Sequence, residues 1–242
     1  MPTKTPAIMA EIEAHVQALH NRILSLGVLK QQVVLIAVSK FQNFEKIESA
    51  FNLGILNFGE NYLQEALLKI QKAREKNLKI IWHFIGKIQS NKTRHIAENF
   101  AWAHTIDRLK IAERLNHQRP NNLPPLNICV EINLGNEDNK SGVLIKDAEK
   151  LCLDILKLKH LKLRGLMAIP PITSDKEKQR FYAKTLANTL QHIKTALPSD
   201  SQQDFNVLSI GMSDDLESAL IEGATHIRIG TAIFGKRQQQ TF

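Results

Sequence analysis

The stretch VLSIGMSDDLESALIEGATHIRIGTAIFG, Val207 to Gly235, decides the architecture. A short apolar run, Val207 to Ile210, breaks at Gly211, gives way to a helical pattern over Asp214 to Glu222 and returns as a second apolar run at Ile227 to Ile229. Strand, helix and strand in that order, with a helix able to cross back over a sheet, make a parallel β/α unit. In the second run His226, Ile227, Arg228, Ile229 and Gly230 alternate, so the two isoleucines share a face toward helices and Arg228 points the other way.

The same unit recurs along the whole chain. Apolar runs fall at Val33 to Val38, Ile55 to Phe58, Ile80 to Ile85, Trp102 to Ile106, Leu126 to Ile132 and Leu161 to Ile169, ahead of the two already named. Helical patterns separate them, among them Glu60 to Lys76, Asp107 to Asn116, Lys146 to Lys157 and Asp175 to Leu197, and an amphipathic helix near residues 5 to 26 precedes them all. No Gly/Ser/Pro linker parts the series, so residues 1 to 242 are expected to form one domain. The reading is an α/β protein, a single (β/α)8 TIM-type barrel with an extra N-terminal helix, with a doubly wound open sheet as the alternative.

Composition excludes other classes. With 242 residues, 43% of them hydrophobic and 23% charged, the chain is neither disordered, collagen-like nor a coiled coil. Cys129 and Cys152 match no metal or redox spacing, which suits a reducing cytoplasm; no uncharged run of membrane-spanning length occurs, and neither secretion nor membrane insertion is expected. The net charge of +8 raises the question of nucleic acid. Its densest basic run, Lys69, Lys72, Arg74, Lys76 and Lys79, has no interleaved aromatics and reads as a solvated helix face, so no nucleic-acid partner is expected. The HExxH, Walker A, GxGxxG and GxSxG patterns are all missing, and no metal site is expected.

Active sites of the barrel lie where strands run into helices, and polar residues accumulate at that rim. Lys40 ends the first strand, an amine on a long stem; low-dielectric walls favour its neutral form, which attacks carbonyls. Met212 and Ser213, after Gly211, and Gly230 and Thr231, after strand 8, form a candidate anion cup, with Ser213 as the helix N-cap and Asp214 and Asp215 turned outward. Arg228 faces the barrel interior, where Glu131 on strand 5 offers a carboxylate. His83 and His104 read as core or rim histidines with one satisfied nitrogen.

Seven strings, in register over nearly the whole chain, resemble the pyridoxal phosphate homeostasis proteins, single-domain relatives of the alanine racemase N-terminal barrel. They are AVSK ending at Lys40, NFGENYLQE from Asn57, WHFIGKIQSNK from Trp82, HTIDR from His104, NKSG from Asn139, RGLMAIPP from Arg164, and GMSDDLESAL leading through Gly223 to RIGTAIFG. The resemblance implies a barrel of the type III pyridoxal phosphate fold, holding pyridoxal 5'-phosphate (PLP) as a Schiff base on Lys40. It further implies that Met212, Ser213, Gly230 and Thr231 hold the phosphate, that Arg228 approaches the pyridine nitrogen, and that Asn57 and His83 lie near the ring. There are two departures from the family pattern: Phe41 and Gln42 stand where Thr-Lys is common, and Glu131 stands where Gln is common.

An arginine at the pyridine nitrogen weakens the ring as an electron sink. Racemisation also needs a second base opposite the lysine, supplied in the racemases by a tyrosine of another domain. The chain ends seven residues after Gly235, and its only tyrosines, Tyr62 and Tyr182, fall on helical patterns. The expectation is therefore a monomeric cytoplasmic carrier in vitamin B6 homeostasis, supplying PLP to apo-enzymes, rather than an enzyme. A weak PLP-dependent amino-acid racemase is the alternative and a Schiff-base aldolase barrel a distant third.

Overall fold

The computed structural model describes residues 4–27, 33–135, 137 and 141–235, without the side chains of residues 4–6. Eight parallel strands close into a barrel in chain order. They are β1 (Val34–Val38), β2 (Asn57–Glu60), β3 (Ile81–Phe84), β4 (Trp102–Ile106), β5 (Leu126–Glu131), β6 (Leu161–Met167), β7 (Val207–Ser209) and β8 (His226–Ile229). Among the described residues the helices are α1 (Lys4–Ser25), α2 (Phe44–Asn52), α3 (Leu63–Glu75), α4 (Thr93–Asn99), α5 (Leu109–Gln118), α6 (Ile145–Ile155), α7 (Lys176–Ala196), α8 (Ser199–Gln202), α9 (Leu216–Ile221) and α10 (Thr231–Phe234). Because β1 pairs with both β2 and β8, the sheet has no edge, and the open-sheet alternative falls. Of the NKSG string, Asn139 and Lys140 lie outside the described residues.

Alternation along each strand sends one set of side chains out to the helices and the other into the lumen. Outward, Ala37, Phe58, Ile128, Val130, Ile227 and Ile229 join the main apolar core. Helices turn apolar stripes to them: Ile47 and Ala50 on α2, Ala66, Ile70 and Ala73 on α3, Ile111, Ala112 and Leu115 on α5. Asn43 caps α2 by accepting the Lys46 N–H, and Asp175 caps α7 by accepting the Glu177 and Lys178 N–H groups. The lumen is different. A small apolar group of Cys129, Met167 and Val207 packs with Trp102, and the remaining inward positions are mostly polar.

One boundary and one exposure differ from the sequence reading for physical reasons. The helix expected from Glu60 starts at Leu63, because Glu60 closes β2 and is fully buried in contact with Ser39 and Lys69. Lys69, read as part of a solvated face, is only 6% exposed. Among the described residues no helix is long and apolar enough to cross a membrane.

Candidate functional site

At the C-terminal rim a cavity of about 380 Å³ opens between the ends of β1, β7 and β8. Lys40, Met212, Ser213, Arg228, Gly230 and Thr231 all line it, so six of the eight sequence-derived site residues converge on one space. Val38, Ile85 and Ile169 give it apolar walls. Gly230 lets β8 end close against β1, since a Cβ there would stand 3.2 Å from the Val38 carbonyl oxygen.

Asn57 and His83 are not on that wall. His83 is fully buried, and it belongs to a hydrogen-bonded relay that crosses the lumen below the cavity. Its Nε2 meets Asn57 Oδ1 at 3.0 Å and its Nδ1 meets His104 Nε2 at 2.9 Å; His104 Nδ1 then meets Ser209 Oγ at 3.0 Å. Arg228 donates to the same Ser209 hydroxyl at 2.8 Å and to the Ala168 carbonyl at 2.9 Å.

One proton arrangement satisfies every member. Arg228 donates to Ser209, Ser209 to His104, His104 to His83, and His83 to the Asn57 carbonyl oxygen, with both imidazoles neutral. Burial holds both imidazoles well below the usual histidine pKa, and neighbouring cationic or titrating groups push the same way: His226 on His83, and His83, His226 and Arg228 on His104. The core reading of the two histidines stands, corrected in that both nitrogens of each are engaged. Ser209 and His104 are functional candidates that the sequence reading did not place at the site; their positions inward on β7 and β4 were the available signal.

The turn after β7 departs from the sequence reading. Helix α9 begins at Leu216, so Ser213 is not its N-cap. Asp215 turns inward, is 8% exposed, and accepts the Met212 N–H at 2.6 Å. A carboxylate one residue before a short helix closes on the amide three residues back rather than facing water. Burial raises its pKa, opposed first by that Met212 bond and then by Arg228. Gly211, at φ 104°, supplies the left-handed bend that starts the turn. From outside, Arg22 of α1 donates to the Ser213 carbonyl at 3.2 Å and pairs with Glu217, so the extra helix braces this loop.

The expected ion pair inside the barrel is not formed. Arg228 takes Ser209 and Ala168 as partners, and among the described residues Glu131 makes no ion pair. Burial pushes the Glu131 carboxyl up to about 7, helped by Asp107 and opposed by Arg228 and Lys87.

A barrel with a lysine at the end of its first strand and an inward arginine on its last belongs, by comparison, to a known class. Residues 12–238 match the family described as alanine racemase, N-terminal domain. The pyridoxal phosphate homeostasis protein of Escherichia coli strain K12 is 43% identical over 230 residues, covering 95% of each chain. That of Pasteurella multocida strain Pm70 is 49% identical over 205 residues, covering 85% of this chain and 87% of the relative. The chain belongs to the pyridoxal phosphate homeostasis protein family, within the alanine racemase N-terminal fold.

Solved structures agree with that placement. PipY of Synechococcus elongatus PCC7942 with PLP bound superposes with a TM-score of 0.81 at 30% identity, covering 93% of this chain and all of that one. Alanine racemase from Corynebacterium glutamicum, at 14% identity and a TM-score of 0.65, shares the fold over 96% of this chain and 62% of its own.

Proposed function

We propose that this protein binds PLP in the rim cavity and serves PLP homeostasis, with Lys40 as the covalent anchor. The observation that carries the reading is the convergence of Lys40, Arg228, Ser213, Gly230 and Thr231 on one cavity of about 380 Å³. That set suits the cofactor's three handles: an amine for an aldehyde, hydroxyl-bearing turns for a phosphate, and a fixed cation for a ring nitrogen. When bound, PLP supplies an aldehyde that a lysine amine captures with loss of water, and a pyridine ring whose electron-withdrawing power rises on protonation.

The chain's own residues favour holding over turnover. Arg228 is a buried cation fixed by two hydrogen bonds, and placed against the ring nitrogen it opposes a proton there. No tyrosine lines this cavity: Tyr62 packs at a tilt against Phe41, with ring centroids 4.9 Å apart, and Tyr182 lies on α7 beside Phe181. The racemase reading thus lacks its second base. Within this proposal Met212 contributes through the turn it shapes, its N–H being held by Asp215. Asn57 and His83 act from beneath the cavity rather than by contact. Delivery to apo-enzymes, a monomeric state and a cytoplasmic location belong to the same proposal.

Borohydride reduction of the PLP-loaded protein followed by peptide mass analysis tests the anchor. A pyridoxyl group on Lys40 is expected, and its loss in Lys40→Ala. A label found on Lys87 or Lys92 instead would move the site, since both line a neighbouring cavity that shares Asn61 with this one.

A further inference from the structure

We propose that Lys69, Glu60 and Glu65 are positioning residues that clamp the chain on both sides of Lys40 and so set where its amine stands in the cavity. The inference rests on the reading of Lys40 as the PLP anchor. Lys69 Nζ donates to the Ser39 carbonyl at 2.7 Å, to Glu60 Oε1 at 2.7 Å and to Glu65 Oε1 at 2.6 Å. Three acceptors match the three protons of an ammonium. Ser39 Oγ adds a bond to the same Glu60 oxygen at 2.6 Å, and the Phe41 N–H donates to Glu65 Oε1 at 2.6 Å. Residues 39 and 41 are therefore held, one by Lys69 and Glu60 and the other by Glu65, and the residue between them is Lys40.

The backbone at this point needs holding. Phe41 has φ 63°, in the left-handed region that a residue with a side chain rarely adopts and keeps only where its surroundings impose it. The Glu65 carboxylate on its N–H is such an imposition.

Stability alone does not explain the cluster. Ser39 and Glu60 are fully buried, and Lys69 nearly so, between β1, β2 and α3, in a layer that is mostly apolar. Apolar residues commonly fill such a layer with equal or better stability than an ion pair. Among the described residues, the side chains of Lys69 and Glu65 hydrogen-bond main-chain groups only at Ser39 and Phe41, the two neighbours of Lys40.

The test compares PLP with pyridoxine 5'-phosphate, which keeps the ring and phosphate but has an alcohol where the aldehyde stands and cannot be captured by an amine. The double variant Glu60→Gln/Lys69→Met removes the two most buried charges together and leaves Glu65, about a quarter exposed, on the Phe41 N–H. Its PLP affinity is expected to fall by about ten- to a hundredfold, the range commonly lost with groups that orient a ligating residue. Pyridoxine 5'-phosphate affinity should stay within about twofold, since the phosphate and ring contacts are untouched. Unchanged PLP affinity in the folded variant overturns the proposal. An equal fall for both ligands overturns it too, because a merely structural role predicts that. Should the double variant not fold, Glu65→Gln reads the same split at the more exposed end of the cluster, and equal affinities to wild type there overturn the idea. Absence of a pyridoxyl group on Lys40 in the reduced wild type is a separate result that sinks the anchor reading itself.

Discussion

Between the strands and the helices, Phe58, Ile111 and Leu186 are fully buried among apolar neighbours, whereas inside the barrel His83, His104 and Ser209 are equally buried but polar. The outer layer is non-directional: stabilisation there scales with apolar area, at about 25 cal/mol per Å² removed from water. The lumen is directional, because each member of the relay is tolerable only while its neighbour donates or accepts in the right sense. The difference assigns tasks. The outer layer holds the barrel closed, and the lumen sets the pose of Arg228 on the cavity wall. The Lys69 cluster is a charged exception, a directional device set within the non-directional layer.

The sharpest way to break this comparison is a large truncation in the outer layer. Phe58→Ala should cost about 3 to 5 kcal/mol of stability, the usual range for a fully buried phenylalanine. PLP affinity of the folded fraction should be unaltered, as measured by denaturant unfolding alongside ligand titration. A variant that instead loses PLP with little loss of stability would abolish the division of tasks.

Next in size is Glu131→Gln in the lumen. The folded-state pKa of Glu131, about 7, lies above its unfolded value, so between roughly pH 4.5 and 7 the folded state binds more protons than the unfolded one. Stability from this group therefore falls as pH rises through that window. Glu131→Gln should gain on the order of 2 to 3 kcal/mol at pH 8 relative to pH 4.5, read from thermal midpoints across pH. His83, His104 and His226 work in the opposite direction. Their folded pKa values are depressed, that of His226 to about 4, so the wild type should lose stability as pH falls below about 6.5. A flat pH profile in both directions would show that the lumen is wetter than its burial implies.

Ser209→Ala, in the middle of the relay, is expected to cost about 1 to 3 kcal/mol, since it leaves an Arg228 N–H and His104 Nδ1 short of a partner. It should also change the absorbance of bound PLP by loosening Arg228. A spectral change without loss of stability would place a water in the gap.

The two regions were not equally legible in the sequence. Eight apolar runs were readable because the outer layer demands period-two hydrophobicity, and the inward direction of Arg228 followed from its isoleucine neighbours. Partners inside the lumen were not, since His104 and Ser209 lie 105 residues apart and meet only when the barrel closes. Lys69 misled because a lysine in a basic helical run ordinarily faces water, although its i,i+4 spacing from Glu65 was visible. Asp215 misled for a related reason: an acidic residue beside a helix start ordinarily serves the dipole from outside, and here it folds back on Met212.

The smallest expected effect lies at the rim, where neither regime governs. Ser213 and Thr231 line the cavity from two loops, one braced by Arg22 of α1 and the other opening α10. Ser213→Ala and Thr231→Val each remove one hydroxyl while leaving the backbone of both loops in place. If these hydroxyls hold the phosphate, each loss should weaken PLP binding by about tenfold, the effect of roughly 1.4 kcal/mol in a hydrogen bond to a charged group. Stability should move by less than about 0.5 kcal/mol, because neither side chain supports the apolar layer or the relay. The same loss should appear with pyridoxine 5'-phosphate, which shares the phosphate, and this separates the rim hydroxyls from the Lys69 cluster, whose effect needs the aldehyde. Titration of the double variant with both ligands decides the matter: unchanged affinity for both would show that these two hydroxyls do not hold the phosphate.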